Sequence, residues 1–154
     1  MLSYEDFVKK YAGVPGVYAF RCQVSKKLYV GESNDVQSRV KQHFSQLNRD
    51  CHPLRNLQKD YHTHGRESFK FLLLLEEVDR GRREFLELQV SLLERSSLWA
   101  RVEKNRIAQI EHGDFTEDVF QYIDKLYKKK NETGHRKFSF LEIAEKGKRL
   151  SRFR

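Results

Sequence analysis

Tyr18 and Tyr29 are the first residues of this chain whose type and placement could do chemistry. Tyr18 ends a Gly-Val-Tyr segment, and Tyr29 begins a Tyr-Val-Gly segment eleven residues later. Both segments have the composition of β-strands, and the polar stretch between them is suited to a turn. Two strands joined in this way pair antiparallel and can hold both phenols on one side of a hairpin.

Arg39 and His43 follow four residues apart on a predicted helix, so their side chains project toward one region. A guanidinium suits a phosphodiester because its fork of donors matches two phosphate oxygens. Each group also has a structural alternative, since hairpin tyrosines often only pack and the helix pair could be a surface arginine and a half-buried histidine. The gathering of two phenols, a guanidinium and an imidazole between positions 18 and 43 favours a reactive site.

The pattern around these residues predicts a small α/β fold with an antiparallel sheet. Hydrophobic periodicity and turn residues predict strands over 16–22, 27–32 and 69–78, and helices over 4–11, from 34 or 35 onward, from 52 to about 65, and over 82–95. The strand over 69–78 is rich in Leu and Phe, which predicts a central strand buried on both faces. Further helices are predicted over 116–128 and 140–146.

Composition excludes several classes of protein. The chain has 154 residues, of which 38% are hydrophobic, and no apolar run approaches the ~20 residues that a membrane span requires. Two cysteines, Cys22 and Cys51, without a CxxC pair argue against a disulfide framework and against zinc, and the spacing of His62 and His64 adds no metal motif. The beginning of the chain does not resemble a secretory signal, so we expect an intracellular protein without a membrane partner.

The positive charge is concentrated at the C-terminal end. The net charge is +8, and residues 128–154 alone carry ten Lys/Arg and three Asp/Glu. Clustered basic residues suit a polyphosphate partner through release of counterions, and a solubilising tail is the alternative. The predicted DNA contacts in this tail are Lys128, Lys129, Lys130, Arg136 and Lys137.

Gln89 is a polar side chain on the apolar stripe of the helix over 82–95. From spacing alone, the favoured interpretation is an amide at the edge of the core with backbone partners. Glu87 lies off this stripe, and its position predicts a solvated side chain.

The order of these motifs resembles the GIY-YIG nuclease family, with Val17 and Val30 in place of the isoleucines of the name. The resemblance is closest to the catalytic domain of phage and intron homing endonucleases. Beyond the two tripeptides and the Arg39–His43 pair, it rests on Glu32-Ser33, Asp35, Cys51-His52, Leu57-Gln58, His64-Gly65, Phe69, Leu75-Glu76-Glu77 and Asn105.

The resemblance implies a central three-stranded antiparallel sheet flanked by helices over residues 1–112, followed by a basic helical extension over 113–154. It implies an endonuclease that hydrolyses phosphodiester bonds of DNA, double-stranded in the first instance, with one divalent cation, expected to be Mg²⁺. The implied location is the cytoplasm of a bacterial host cell. The oligomeric state stays open, because one active site per chain cuts two strands either as a dimer or in two events.

The resemblance also implies individual roles. Tyr18 would orient or deprotonate the attacking water, and Tyr29 would support it across the hairpin. Arg39 would hold the scissile phosphate and stabilise its extra charge, and His43 would assist proton transfer. On the DNA-binding side the resemblance places Gly31, His52 and Asn105.

Position 89 departs from the family pattern, which has a metal-binding glutamate where this chain has Gln89. An amide oxygen brings no charge to a hard cation, so it would hold Mg²⁺ weakly. Three explanations are open: a naturally silent, binding-only module; a deliberate isosteric replacement that inactivates the enzyme; or Glu87 as a substitute ligand about 160° round the helix. The intact remainder of the motif series favours the second.

Overall fold

The structure is a computed structural model that describes residues 1–102; the predicted helices and basic tail beyond them lie outside the described residues. The helices and strands follow in chain order: α1 Tyr4–Lys10, β1 Gly16–Cys22, β2 Leu28–Ser33, α2 Val36–Asn48, α3 Arg55–His64, β3 Phe69–Glu76 and α4 Arg80–Leu93. Two short 3₁₀ helices, Arg66–Ser68 and Arg95–Ser97, lie between or after them. Met1–Glu87 together with Ser96–Arg101 form one compact unit, and Leu88–Arg95 belong to a second unit.

The three strands form an antiparallel sheet in the order β2-β1-β3. This confirms the predicted fold class for the described residues. Within the β1–β2 hairpin, Tyr18 stands opposite Gly31 and Phe20 stands opposite Tyr29. Because side chains alternate along a strand, this register puts both phenols on the same face of the sheet, as the sequence pattern predicted.

The prediction that the strand over 69–78 is central was wrong, since β1 occupies the centre and β3 lies at an edge. On its outer side β3 meets, among the described residues, one isolated bridge from Leu2 to Phe71. Lys70 and Leu72 on β3 are only half-buried. An apolar run indicates that both faces of a strand are covered by other elements. The position of the strand in the sheet depends on which strands pair with it, and composition does not encode that pairing.

Helix α2 begins where the sequence predicted, and Asp35 rather than Asn34 caps it. The Asp35 carboxylate accepts hydrogen bonds from the backbone N–H of Ser38 at 3.2 Å and from the Ser38 hydroxyl at 2.9 Å. These contacts satisfy donors that the first turn of a helix leaves unpaired, and they lower the pKa of Asp35. The cap sets the residue at which α2 begins. The buried side of the helix comprises Val36, Val40, His43, Phe44 and Leu47.

Aromatic rings fill the core between the sheet and helices α1 and α2. The buried members include Phe7, Phe20, Phe44, Phe69, Phe71 and Trp99. Burial of each such side chain stabilises the fold by roughly 1.5–3 kcal/mol. The ring of Phe20 stacks on that of Tyr29 with centroids 5.0 Å apart, so the core supports the second phenol of the hairpin directly. Among residues 1–102, none of the helices has the length and hydrophobicity needed to span a bilayer.

Candidate active site

The two tyrosines of the hairpin lie side by side. Their ring centroids are 6.1 Å apart with an interplanar angle of 29°. Tyr18 is fully buried and Tyr29 is half-buried. Gly31, opposite Tyr18, leaves the space that both rings occupy, because a Cβ there would lie 2.6 Å from the Tyr18 hydroxyl oxygen and 2.7 Å from Cε1 of Tyr29.

His43 reaches the tyrosine pair from α2. Its Nε2 lies 3.1 Å from the Tyr18 hydroxyl oxygen, and its ring meets the Tyr29 ring edge-on with centroids 4.6 Å apart. The side chain is only 2% exposed. Burial, reinforced by the positive charge of Arg39, lowers the pKa of His43 to about 3, so the imidazole is neutral at physiological pH.

His52 lies behind His43, although the sequence resemblance placed it on the DNA side. Its Nε2 is 2.9 Å from Nδ1 of His43, and its Nδ1 accepts the backbone N–H of Leu54 at 3.0 Å. The residue is 3% exposed, and burial lowers its pKa. Both ring nitrogens of His52 are therefore engaged by protein groups.

Arg39 lies one helical turn before His43 and supplies the positive charge of the site. Its Nη1 donates to Oε1 of Gln42 at 2.5 Å. Burial raises the pKa of Tyr18 well above its usual value and raises the pKa of Tyr29, while the nearby Arg39 charge and its hydrogen bonding act to lower both. Both phenols are consequently protonated at neutral pH, with a guanidinium placed to stabilise either as a phenolate.

Glu87 is a member of this site that sequence reasoning missed. Its side chain is 8% exposed, so the prediction that it is solvated was wrong, and its negative charge contributes to the raised pKa of Tyr29. The prediction failed because α4 buries more than one stripe. No signal in the sequence marked this burial, because opposite charges four residues apart, as at Arg83 and Glu87, are typical of a solvated helix face. In the structure Arg83 pairs with Glu32 of β2, at 2.9 Å between Arg83 Nε and Glu32 Oε2.

Gln89 belongs to the second unit and is 2% exposed. Neither its amide nitrogen nor its amide oxygen has a hydrogen-bond partner within the part of the chain that the structure describes. The backbone partners expected from its spacing are thus not found there. A buried amide without partners costs about 1–3 kcal/mol, which sets Gln89 apart from Gln58, a buried amide whose two ends are both bonded.

The structure gathers Tyr18, Tyr29, Arg39, His43 and His52 into one site within the first unit. The remaining predicted DNA contacts, Asn105, Lys128, Lys129, Lys130, Arg136 and Lys137, lie outside the described residues. Residues 1–102 contain no group of three or more His, Cys, Asp or Glu side chains that could hold a metal ion by themselves. A cation here would need further ligands from a substrate or from water.

Comparison with known proteins gives concordant matches. The profile of the family described as the GIY-YIG catalytic domain matches residues 14–96. Intron-associated endonuclease 1 of Enterobacteria phage T4 is 28% identical over 123 residues, which are 77% of this chain and 46% of that relative. The match thus spans less than half of the relative's length. These findings confirm the resemblance that the ordered motifs indicated.

Two solved structures of a catalytic domain are also similar. A mutant form of the catalytic domain of intron endonuclease I-TevI matches at 25% identity, covering 55% of this chain and 84% of that chain with a TM-score of 0.46. The catalytic domain of homing endonuclease I-TevI matches at 25% identity, covering 54% and 87% with a TM-score of 0.46.

Proposed function

Since the chain belongs to the family of GIY-YIG catalytic domains, we propose that it is an endonuclease that hydrolyses phosphodiester bonds of DNA. The observation that carries this proposal is the contact of Tyr18 with His43, at 3.1 Å, beside Tyr29 and the Arg39 guanidinium. Any buried phenol needs a hydrogen-bond partner, so the support comes from the convergence of this contact with a second phenol and a guanidinium. The relative named as an intron-associated endonuclease supports the same reaction, in a homing-type enzyme.

Arg39 would bind the scissile phosphate. Attack on a phosphodiester builds negative charge on the equatorial oxygens, and a guanidinium aimed at those oxygens stabilises the transition state more than the ground state. Arg39 is half-buried, so its charge is screened less than that of a fully exposed side chain. The fork of donors also fixes the orientation of the phosphate, which a lysine cannot do.

Tyr18 would hold the attacking water, with Tyr29 as its neighbour. Because the pKa of Tyr18 is raised by burial, the phenol is protonated before substrate binds and holds the water by hydrogen bonding. Negative charge on this oxygen would face His43 and Arg39, both of which favour it. As a phenol Tyr18 orients the water, and it would take up a proton from the water only as the phenolate, after its own proton has been lost to bulk solvent.

Nucleases of this family generally use a divalent metal ion, and the family's glutamate aligns with Gln89. We propose the Gln89 amide oxygen as a weak contact to this ion, expected to be Mg²⁺, and Glu87 as the carboxylate that can substitute for it. These are alternative ligands, each with its own support: the Gln89 amide is buried without a partner among the described residues, and Glu87 is a buried carboxylate. When bound, the cation supplies charge stabilisation to the phosphate and the leaving 3′ oxygen.

The decisive test is plasmid cleavage with Mg²⁺ by the full chain, compared with its Gln89→Glu variant. We expect the unmodified chain to bind DNA and cut poorly, and the variant to cut at least ~10²-fold faster. Gln89→Glu combined with Arg39→Ala is the matched control for contaminating nucleases, and it should not cut. Binding without cleavage in both forms would instead indicate a silent nucleic-acid-binding module.

The basic tail would add affinity that does not depend on DNA sequence. Neutralising Lys128, Lys129 and Lys130 together as glutamines should make the slope of log K against log salt shallower by roughly 0.9 for each phosphate that the variant no longer neutralises. The decrease in affinity should be equal for unrelated DNA sequences, since interactions with phosphates carry no base information. An unchanged slope would assign these lysines to solubility alone.

A further inference from the structure

A single backbone amide determines the direction of a chain of hydrogen bonds in the site. The N–H of Leu54 donates to Nδ1 of His52 at 3.0 Å. A backbone N–H can only donate, so Nδ1 of His52 carries no proton. The neutral ring then has its one proton on Nε2, and a cationic His52 is excluded because its Nδ1–H would point at the Leu54 N–H.

The assignment passes from His52 to His43. Nε2 of His52 lies 2.9 Å from Nδ1 of His43, and since Nε2 carries the proton, it donates and Nδ1 of His43 accepts. His43 therefore has its own proton on Nε2. That nitrogen lies 3.1 Å from the Tyr18 hydroxyl oxygen, so His43 donates to Tyr18 and does not accept from it.

The chain of hydrogen bonds ends at the phenol of Tyr18. Since the oxygen of Tyr18 accepts from His43, its own O–H is directed elsewhere. The chain thus runs from the Leu54 amide through His52 and His43 to Tyr18.

His52 is held in place by a second buried residue. Its backbone N–H donates to Oε1 of Gln58 at 3.1 Å, and Nε2 of Gln58 donates to the carbonyl of Leu47 at 3.0 Å. Gln58 thereby ties the segment that carries His52 to the end of α2. This explains structurally why the Cys-His and Leu-Gln motifs occur together in the sequence.

We infer that His52 is a positioning residue: anchored by the Leu54 amide, it fixes His43 in the tautomer that presents an N–H to the Tyr18 oxygen. His43 in this tautomer cannot take the Tyr18 proton at Nε2; it stabilises negative charge on the phenol oxygen instead. The tautomers follow from the hydrogen bonds alone, whereas their effect on cleavage rests on the proposed function.

Nitrogen NMR of the full chain, labelled with ¹⁵N-histidine, tests the tautomers without any activity measurement. We expect His43 and His52 each to show a protonated Nε2 and a bare Nδ1 at neutral pH. A proton on Nδ1 of His43 would overturn the inference, whatever the enzyme does.

Two substitutions of His52 then test its role. His52→Met removes the donor that excludes a proton on Nδ1 of His43, and we expect the Nδ1–H tautomer of His43 to become populated. In the Gln89→Glu background, kcat should fall ~10–100-fold, the scale of losing a group that orients a reactive histidine, with KM unchanged. His52→Gln can place an N–H near the former Nε2, so it should retain the His43 tautomer and most of kcat. His62→Gln, at an exposed histidine paired with Asp50, is the control that should change neither.

The outcomes separate the two proposals. A His43 tautomer that does not change in His52→Met, or that changes with no effect on kcat, overturns the positioning role. If His52→Met fails to fold, His52→Gln decides: an inverted His43 tautomer in that folded variant overturns the inference. If the tautomers are as assigned but the Gln89→Glu chain does not cut DNA, the assignment of the tautomers stands and the proposed function falls.

Discussion

Gly31 and Tyr18 face each other across the hairpin so closely that only a hydrogen side chain fits at position 31. A Cβ built on Gly31 would lie 2.6 Å from the Tyr18 hydroxyl oxygen and 2.7 Å from its Cζ. Tyr18 is fully buried, so it cannot move aside at low cost. The sequence resemblance assigned Gly31 to DNA binding. In the structure, the absence of a side chain at Gly31 also leaves the space that the two tyrosine rings occupy.

We therefore expect Gly31→Ala to lower the free energy of unfolding by about 1–3 kcal/mol through overpacking. In the Gln89→Glu background it should also lower cleavage ~10²-fold, because a displacement of about 1 Å in a reactive group has that effect. Urea denaturation and plasmid cleavage measure the two effects. Gly81→Ala is the control, since among the described residues its new Cβ would meet only Asp79 Oδ2, at 3.4 Å, and alanine is favoured in a helix. Weaker DNA binding with unchanged stability would instead support a direct DNA contact at Gly31.

Tyr18→Phe keeps the ring and removes only the hydroxyl. Added to the Gln89→Glu form, it should lower cleavage ~10²–10⁴-fold if the phenol holds or deprotonates the water. It also leaves the His43 N–H without its acceptor, so we expect a loss of about 1–3 kcal/mol in unfolding free energy. Tyr61→Phe is the matched control, because its hydroxyl bonds Asn48 away from the site. Normal cleavage by Tyr18→Phe would return this residue to the core.

Arg39→Lys retains the positive charge and loses the planar fork, so it should not behave as a conservative change. We expect DNA affinity to fall modestly while kcat collapses in the Gln89→Glu background. Arg49→Lys, on an exposed arginine at the end of α2 that donates to the Ser45 carbonyl, should leave both quantities unaltered. Near-full turnover with lysine at position 39 would mean that Arg39 acts only as a surface cation.

The buried, neutral His43 predicts a specific dependence of stability on pH. Its pKa is lowered to about 3 in the folded chain, against about 6.5 when unfolded. Between these values the unfolded chain binds more protons, so the free energy of unfolding rises with pH, by up to about 1.4 kcal/mol per pH unit from this group. His43→Gln should have a shallower rise from pH 4 to 6.5 in urea denaturation than the unmodified chain. Identical slopes would contradict the buried, neutral state.

Local sequence patterns were sufficient wherever one element determines the geometry. Alternation along two strands placed Tyr18 and Tyr29 on one face, and four-residue spacing placed Arg39 and His43 on one helix side. Asp35 was one of two predicted N-caps of α2, and in the structure it is the Asp35 carboxylate that accepts the hydrogen bonds of the first turn. These features depend on periodicity and on side chains close in sequence, which a single chain displays directly.

The contacts that sequence reasoning missed depend on tertiary structure. His52 meets His43 because the chain reverses after α2 at Asp50, whose φ of 57° is in the left-handed region that Asp tolerates better than most residues. No periodicity connects positions 43 and 52. Glu87 was predicted to be solvated because one apolar stripe was taken as the only buried face of α4. The strand β3 was predicted to be central because its composition is apolar, and composition does not encode the order in which strands pair.

The two buried glutamines of the described residues should respond with opposite sign to the loss of their amides. Gln89 has no hydrogen-bond partner within residues 1–102, so Gln89→Leu removes an unsatisfied polar group of similar size. We expect the free energy of unfolding to increase by about 1–3 kcal/mol. Gln58→Leu is the matched control, and because it leaves the His52 N–H and the Leu47 carbonyl unpaired, it should decrease that free energy by a similar amount.

Substitutions at position 89 also test metal binding without a cleavage assay. Gln89→Glu buries a carboxylate and should be less stable than the unmodified chain without divalent cations. A cation that binds the folded state raises stability by mass action, so Mg²⁺ should raise the melting temperature of Gln89→Glu and leave that of Gln89→Leu unchanged. Equal responses of both variants to Mg²⁺ would mean that position 89 does not contact the ion.

The comparison of the two glutamines has its own contrary outcome. If Gln89→Leu lowers the free energy of unfolding as much as Gln58→Leu does, the Gln89 amide is satisfied within the fold.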